Sequence, residues 1–267
     1  MSVNLDDLRI AIAGQNIVKG VSLHIGDGER VGLIGISGSG KSMIAKACLG
    51  LLPPIAHVQG SIRIGQQQIV NTDERSLAAI RGSATGLVMQ NPSAALNPVQ
   101  RVFEQVALPL KLHYQLDREH IRKRVIDMLR RVDLSEAVAD KYPHQLSGGQ
   151  QQRVAIATAL VTSPKFIIAD EPTTSLDSIT QQQIVDVLVS LVDDSGASML
   201  FITHDFSVLS RATTRCAVLD EGVLVEEGLT RDLLNAPQNS ATKILVNAAT
   251  ELTFQSEQLR EIRDDES

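Results

Sequence analysis

Apolar residues in this chain switch between two spacings, and the switches outline a fold before any motif is considered. Near the start, short apolar runs are punctuated by Gly and Asp, predicting strands at Leu8–Ile12, Val21–Ile25, Arg30–Gly35 and Ser61–Ile64. Arg30–Gly35 leads into a glycine loop, after which Lys41–Leu51 carries helical spacing up to Pro53-Pro54. Gly86–Met89 predicts another buried strand. From Asn91 to about Thr158 apolar residues fall three and four apart, predicting helices over Val102–Leu112, Asp117–Val132 and Gln150–Val161. All-apolar runs return at Phe166–Ala169 and Met199–Ile202, the pattern of strands covered on both faces of a parallel sheet. A helix over Ile179–Val192 joins them into a βαβ unit. Arg215–Asp220 and Val223–Glu227 flank Glu221-Gly222, a predicted hairpin turn. The whole predicts an α/β core interrupted by a helical insertion, with a charged end from Glu251 expected to fray.

Composition narrows the class of partner. At 267 residues and 43% hydrophobic, the chain can bury one large domain or a domain with a subdomain. A net charge of −6 argues against a surface built to hold a nucleic-acid backbone. Cys48 and Cys216 are isolated, which offers no zinc or iron–sulfur spacing and fits a reducing compartment. Met1–Asp7 lacks the basic start and apolar run of a signal peptide. No stretch approaches the roughly 18 apolar residues that span a bilayer. The expectation is a soluble, cytoplasmic chain.

Chemistry concentrates at five places. Gly35-Ile36-Ser37-Gly38-Ser39-Gly40-Lys41-Ser42 fills every position of a G-x-x-x-x-G-K-[ST] phosphate loop in strand–loop–helix context. Its glycines let backbone N–H groups, those around Ser37 and Ser39 included, close on phosphates at a helix N-terminus. Lys41 would reach the β- and γ-phosphates, and Ser42 would ligate Mg²⁺. Asp170 and Glu171 end an apolar strand, where Asp170 suits a Mg²⁺ ligand and Glu171 a general base. Taken alone, they could equally be turn residues before Pro172. Gln90 follows a predicted strand and could ligate Mg²⁺ or orient water. His204 also ends a strand, where an imidazole could contact a γ-phosphate. Leu146-Ser147-Gly148-Gly149-Gln150 opens a helix, with Ser147 as N-cap and the glycines leaving N–H groups uncovered. This second anion site is expected to lie out of reach of its own chain's phosphate loop.

Taken in order, these residues resemble the nucleotide-binding subunit of an ABC transporter over roughly residues 5 to 235. The resemblance makes Gly35–Ser42 the Walker A, Gln90 the Q-loop, Leu146–Gln150 the signature and Phe166–Asp170 the Walker B. Glu171 becomes the catalytic glutamate, Ser175-Leu176-Asp177 the D-loop and His204 the switch histidine. It implies a P-loop NTPase (RecA-like) core with an antiparallel β subdomain and a helical insertion subdomain. Residues 1–235 would form the nucleotide-binding domain, with the insertion at about 91–158, and 236–267 a C-terminal helix and charged tail. ATP and Mg²⁺ are the implied ligands. Ser147, Gly148, Gly149, Gln150 and Asp177 would serve a nucleotide shared head to tail with a second ATPase subunit, expected to be a different chain. Two membrane permease subunits and, through them, an extracytoplasmic solute-binding protein complete the implied assembly, at the cytoplasmic face of the inner membrane.

Narrower features, Gln90-Asn91-Pro92, Tyr142-Pro143-His144-Gln145 and Asp170-Glu171-Pro172-Thr173-Thr174, resemble the dipeptide, oligopeptide and nickel importers. A non-transport ATPase of the same superfamily, in DNA repair or translation, is an alternative, as is a small-molecule kinase, which would leave Leu146–Gln150 unexplained. Three departures stand out. The chain has no cysteine-bearing extension after Cys216, so no iron–sulfur cluster is expected. Gln238–Thr242 replaces the family's His-Pro-Tyr-Thr-like run. No Phe, Tyr or Trp precedes Phe103, and Ile12 takes the place of the aromatic on which the family stacks adenine. Losing base–aromatic stacking costs about 1–3 kcal/mol, so the chain is expected to discriminate weakly between ATP and GTP. Competition at equal concentrations checks this, and a strong adenine preference would reject it.

Overall fold

The computed structural model describes residues 1–174 and 176–249; the expected D-loop residue Ser175 and the charged end from Glu251 lie outside the described residues. The chain runs β1 (Val3–Ile12), β2 (Gln15–Ile25), β3 (Arg30–Ile34), α1 (Lys41–Cys48), β4 (Ala56–Ile64), β5 (Gln67–Gln68), α2 (Glu74–Ile80) and β6 (Thr85–Val88). Helices α3 (Pro92–Ala95), α4 (Val102–His113), α5 (Arg118–Arg131) and α6 (Gly148–Leu160) follow, then β7 (Phe166–Asp170), α7 (Ser178–Ser195), β8 (Ser198–Thr203), α8 (Phe206–Ala212), β9 (Arg215–Asp220), β10 (Val223–Leu229) and α9 (Thr230–Asn235). Residues 240–249 are helical as well.

Two sheets form. The first has the order β2-β1-β4-β5 and is antiparallel throughout. The second has the order β10-β9-β3-β8-β7-β6, with β9, β3, β8, β7 and β6 parallel and β10 an antiparallel edge. Strand alternation sorts its side chains between two cores. Met199, Phe201, Ile167, Ala169, Cys216 and Val218 pack with residues of α4 to α8. Their neighbours Leu200, Ile202, Phe166, Ile168, Ala217 and Leu219 pack with α1 and the antiparallel sheet. Coverage on both faces accounts for the all-apolar runs in these strands. Between β6 and β7 the described chain makes only helices and 3₁₀ turns, so the expected helical insertion is present. Burial pushes the thiols of Cys48 and Cys216 up to about 12 and about 11, which suits packing rather than reactivity.

Several boundaries differ from expectation, each for a local reason. β1, β2 and β4 are longer than their apolar cores, because their other face is exposed and carries polar residues such as Arg9, Lys19 and Gln59. α1 ends at Cys48 rather than running to Leu51. Gly50 at φ 62 receives the turn: its N–H reaches Ala47 O at 3.0 Å and the Leu51 N–H reaches Lys46 O at 2.8 Å. This left-handed stop precedes Pro53. Helices α2 and α8 have seven residues each, too few to show a period, and begin on the side-chain caps Asp73 and Asp205. The predicted hairpin at Glu221-Gly222 forms, with both residues at positive φ (44 and 83).

Glu29 and Arg215 tie the turn before β3 to the start of β9. Arg215 Nε donates to Oε1 at 2.7 Å and Nη2 to Oε2 at 3.0 Å, while the Gly26 N–H donates to Oε2 at 2.7 Å. These hydrogen bonds, the guanidinium's foremost, hold the Glu29 carboxyl below its ordinary range against the opposing push of burial. A lowered native pKa makes the ionised group stabilising above the ordinary carboxylate range, a contribution lost as pH falls through the native pKa. The stability gap between wild type and Glu29→Gln in urea unfolding should therefore shrink on acidification through and below that range. A gap independent of pH would remove the charge of Glu29 from the account.

Candidate active site

Four neighbouring parallel strands end on one edge, and each delivers part of the site. In sheet order β3, β8, β7, β6, they lead into the Gly35–Ser42 loop, His204, Asp170-Glu171 and Gln90. The C-terminal edge of a parallel sheet is where ligands bind in open α/β folds.

The glycine loop is tight against its surroundings. A Cβ on Gly35 would lie 2.1 Å from Leu219 O, so only glycine fits there. Gly38 and Gly40 take φ 82 and 109, and Gly40 opens α1. Ser37 and Gly38 are exposed, whereas Ser39 and Lys41 are buried. Lys41 Nζ donates to Gly35 O at 2.7 Å and Ile36 O at 2.8 Å, with Ser39 Oγ at 3.5 Å. Burial lowers its pKa, and the carboxylates of Glu171 and Asp170 oppose that. Ser42 Oγ donates to Asp170 Oδ1 at 3.1 Å, joining the two sequence motifs. Burial raises the Asp170 pKa, opposed first by the Ser42 hydrogen bond and reinforced by the Glu171 charge.

Glu171 holds an unusual backbone conformation for a non-glycine residue, φ 48, with its N–H donating to Ile202 O at 2.9 Å. Its carboxylate is gripped from three sides. Gln90 Nε2 donates to Oε2 at 2.9 Å, Thr174 Oγ1 donates to the same oxygen at 3.0 Å, and His204 Nδ1 lies 3.2 Å from Oε1. Gln90 and His204, both ambiguous as isolated residues, thus converge on one carboxylate.

The Leu146–Gln150 segment forms a second, separate feature. Ser147 caps α6: its Oγ accepts the Gln150 N–H at 3.3 Å and Gln150 Oε1 accepts the Ser147 N–H at 3.2 Å. A cavity of about 400 Å³ opens beside Ser147, Gly148, Gly149 and Gln150, and Asp177 lines it too. Asp177 caps α7 through the Thr180 N–H at 3.0 Å, the bond that chiefly lowers its pKa. None of Gly35–Ser42 lines this cavity, so the glycine loop and the capped helix are separate features of the chain.

Three side chains that the sequence reading gave no role connect these parts. Thr174 touches Glu171, as above. Gln151 accepts from Ser93 Oγ at 2.7 Å and donates to Pro143 O at 3.0 Å and Leu146 O at 3.3 Å. Gln152, buried, donates to Met89 O at 3.5 Å. The available signal was the i, i+3 spacing of Thr174 from Glu171; nothing in the sequence pointed to the glutamines.

Residues 18–174 match the family model described as ABC transporter. The chain belongs to the ABC transporter family. It is 39% identical to the uncharacterized ABC transporter ATP-binding protein YejF of Escherichia coli (strain K12), over 88% of this chain and 45% of that protein. It thus spans under half the length of that relative. It is 36% identical to the oligopeptide transport ATP-binding protein AppD of Bacillus subtilis (strain 168), over 92% of this chain and 76% of that one. Among solved structures, it matches a dimeric post-hydrolysis state of an ATP-binding cassette bound to ADP and Pi, with a TM-score of 0.77 and 35% identity. That match covers 86% of this chain and 99% of the other. The ABC fold expected from the resemblance, an α/β core with an antiparallel sheet and a helical part, is the fold observed.

Proposed function

We propose that this chain is the ATP-binding and ATP-hydrolysing subunit of an ABC importer, driving transport by nucleotide-dependent head-to-tail pairing with a second ATPase subunit. The observation that carries the reading is the Glu171 carboxylate, held by Gln90, Thr174 and His204 on the strand edge that also bears the glycine loop. Lys41 and the loop N–H groups would bind the β- and γ-phosphates. Ser42 and Asp170 are oxygen donors 3.1 Å apart, a set suited to Mg²⁺, and Gln90 donates through its nitrogen, leaving its amide oxygen as the end suited to a cation. Among the described residues no group of three or more His, Cys, Asp or Glu could hold a metal. Further Mg²⁺ ligands would therefore be phosphate oxygens and water. Bound there, Mg²⁺ would supply neutralising charge to the phosphates.

Glu171 then takes the proton of a water whose oxygen bonds to the γ-phosphorus, while the bond to the bridging oxygen breaks and its electron pair leaves with ADP. His204 holds the other carboxylate oxygen and would contact the γ-phosphate. Ser147, Gly148, Gly149, Gln150 and Asp177 face a cavity apart from this loop, so they would complete the partner's site. The dimeric cassette match supports such pairing.

Membrane partners are supported by an apolar groove of about 280 Å³ lined by Leu49, Leu51, Leu87, Met89, Leu96 and Ala155. Met89, which lines it, directly precedes Gln90, so a permease segment seated there would act on the site through the residue that holds Glu171. Among the described residues no helix is long and apolar enough to cross a membrane. The permeases would be separate chains, with this one at the cytoplasmic face and an extracytoplasmic solute-binding protein delivering cargo. The name of the Bacillus relative supports an oligopeptide cargo over a nickel chelate.

Glu171→Gln should retain ATP binding and lose a factor of about 10²–10⁴ in turnover, roughly 3–5 kcal/mol of barrier. An unchanged single-turnover rate would remove Glu171 from the role of base. Ser147→Arg should abolish nucleotide-dependent pairing, read by size exclusion with a non-hydrolysable nucleotide; intact pairing would separate the α6 terminus from the shared site.

A further inference from the structure

Oε2 of Glu171 accepts two hydrogen bonds, and they come from different parts of the chain. The Gln90 bond, 2.9 Å, arrives from the segment after β6 that enters the helical insertion. The Thr174 bond, 3.0 Å, arises within the turn that Glu171 opens, where the Thr174 N–H also returns to Glu171 O at 3.3 Å. A shift of the insertion against the sheet acts on the first bond. The second spans three residues of one turn and travels with the carboxylate. Glu171 carries three rotatable side-chain bonds, so its stem alone does not fix where the carboxylate points.

Building on the general-base reading of Glu171, we propose that Thr174 is a positioning residue for hydrolysis. Its hydroxyl holds Oε2 and so keeps the carboxylate aimed whether or not Gln90 is engaged. Gln90 is then the conditional partner, set by the insertion, and Thr174 the constant one. The donor is neutral, so it orients the carboxylate without adding the charge that a Lys or Arg would bring to the same oxygen. A threonine methyl cannot replace the hydroxyl in this role, which makes the role separable from packing.

The test measures kcat, KM and single-turnover hydrolysis for the full chain and its variants. Thr174→Val keeps the side-chain shape and should lower kcat by about 10- to 150-fold with KM within about twofold, the range expected for losing a hydrogen bond to a charged group. Thr174→Ser should recover most of that loss. In a Glu171→Gln background, adding Thr174→Val should cost no further factor, because the hydroxyl acts through the carboxylate. The proposal is overturned if Thr174→Val turns over like wild type, if Thr174→Ser is as slow as Thr174→Val, or if the valine costs the same factor without the carboxylate. Should Thr174→Val not fold, Thr174→Ala compared with Thr174→Ser reads the hydroxyl in the same way. Failure of the base reading is distinguishable: there Glu171→Gln itself hydrolyses at the wild-type rate, whereas a slow Glu171→Gln beside an unaffected Thr174→Val sinks the threonine alone.

Discussion

Covering a parallel sheet on both faces is the constraint on which this molecule depends. With helices α4 to α8 on one side and α1 with the antiparallel sheet on the other, the strands between have no solvent face for chemistry. Polar side chains in these strands are confined to their ends. Parallel strands all stop on the same edge, so the residues after β3, β8, β7 and β6 become neighbours although 169 positions separate Gly35 from His204. The change is abrupt in β7, buried from Phe166 to Ala169 and then half-buried at Asp170. A site built this way inherits the rigidity of the sheet, and its reactive groups need little support from long loops.

The same burial sets the electrostatics. Lys41 and Asp170 are partly withdrawn from water, and in each the loss of hydration weighs against the charged form. Their compensation is local: loop carbonyls for the ammonium, the Ser42 hydroxyl for the carboxylate. A phosphate chain with a divalent cation would offer both groups stronger partners. Glu171 differs in its direct partners: an amide, a hydroxyl and an imidazole nitrogen meet its two oxygens. Such partners orient the carboxylate through directional hydrogen bonds.

The helical insertion is coupled to this edge by amides. Gln152 meets the Met89 carbonyl beside Gln90, and Gln151 joins Ser93 to the carbonyls before Ser147. The segment after β6 thus touches both Glu171, through Gln90, and the stretch before the Ser147 cap, through Ser93 and Gln151.

Much of this was legible in the amino-acid order. The glycine loop announces itself because phosphate contact demands those residue types at contiguous positions, and the two-faced strands because their burial fills Phe166–Ala169 and Met199–Ile202 with apolar residues. The core helices showed their period over eleven or more residues, while α2 and α8, with seven each, did not. Gly50 ended α1 before Pro53 because a left-handed stop needs only one residue, and apolar spacing does not register it. What the sequence determined alone were the contiguous, residue-specific features: the Gly35–Ser42 loop, the Ser147 cap and the α/β class. Which side chains meet was decided by tertiary structure, since Gln90 and His204 reach Glu171 only because three strands end side by side. A hydrogen bond is made by distance in space, and chain order constrains that distance only where a single turn, as between Glu171 and Thr174, makes the two the same.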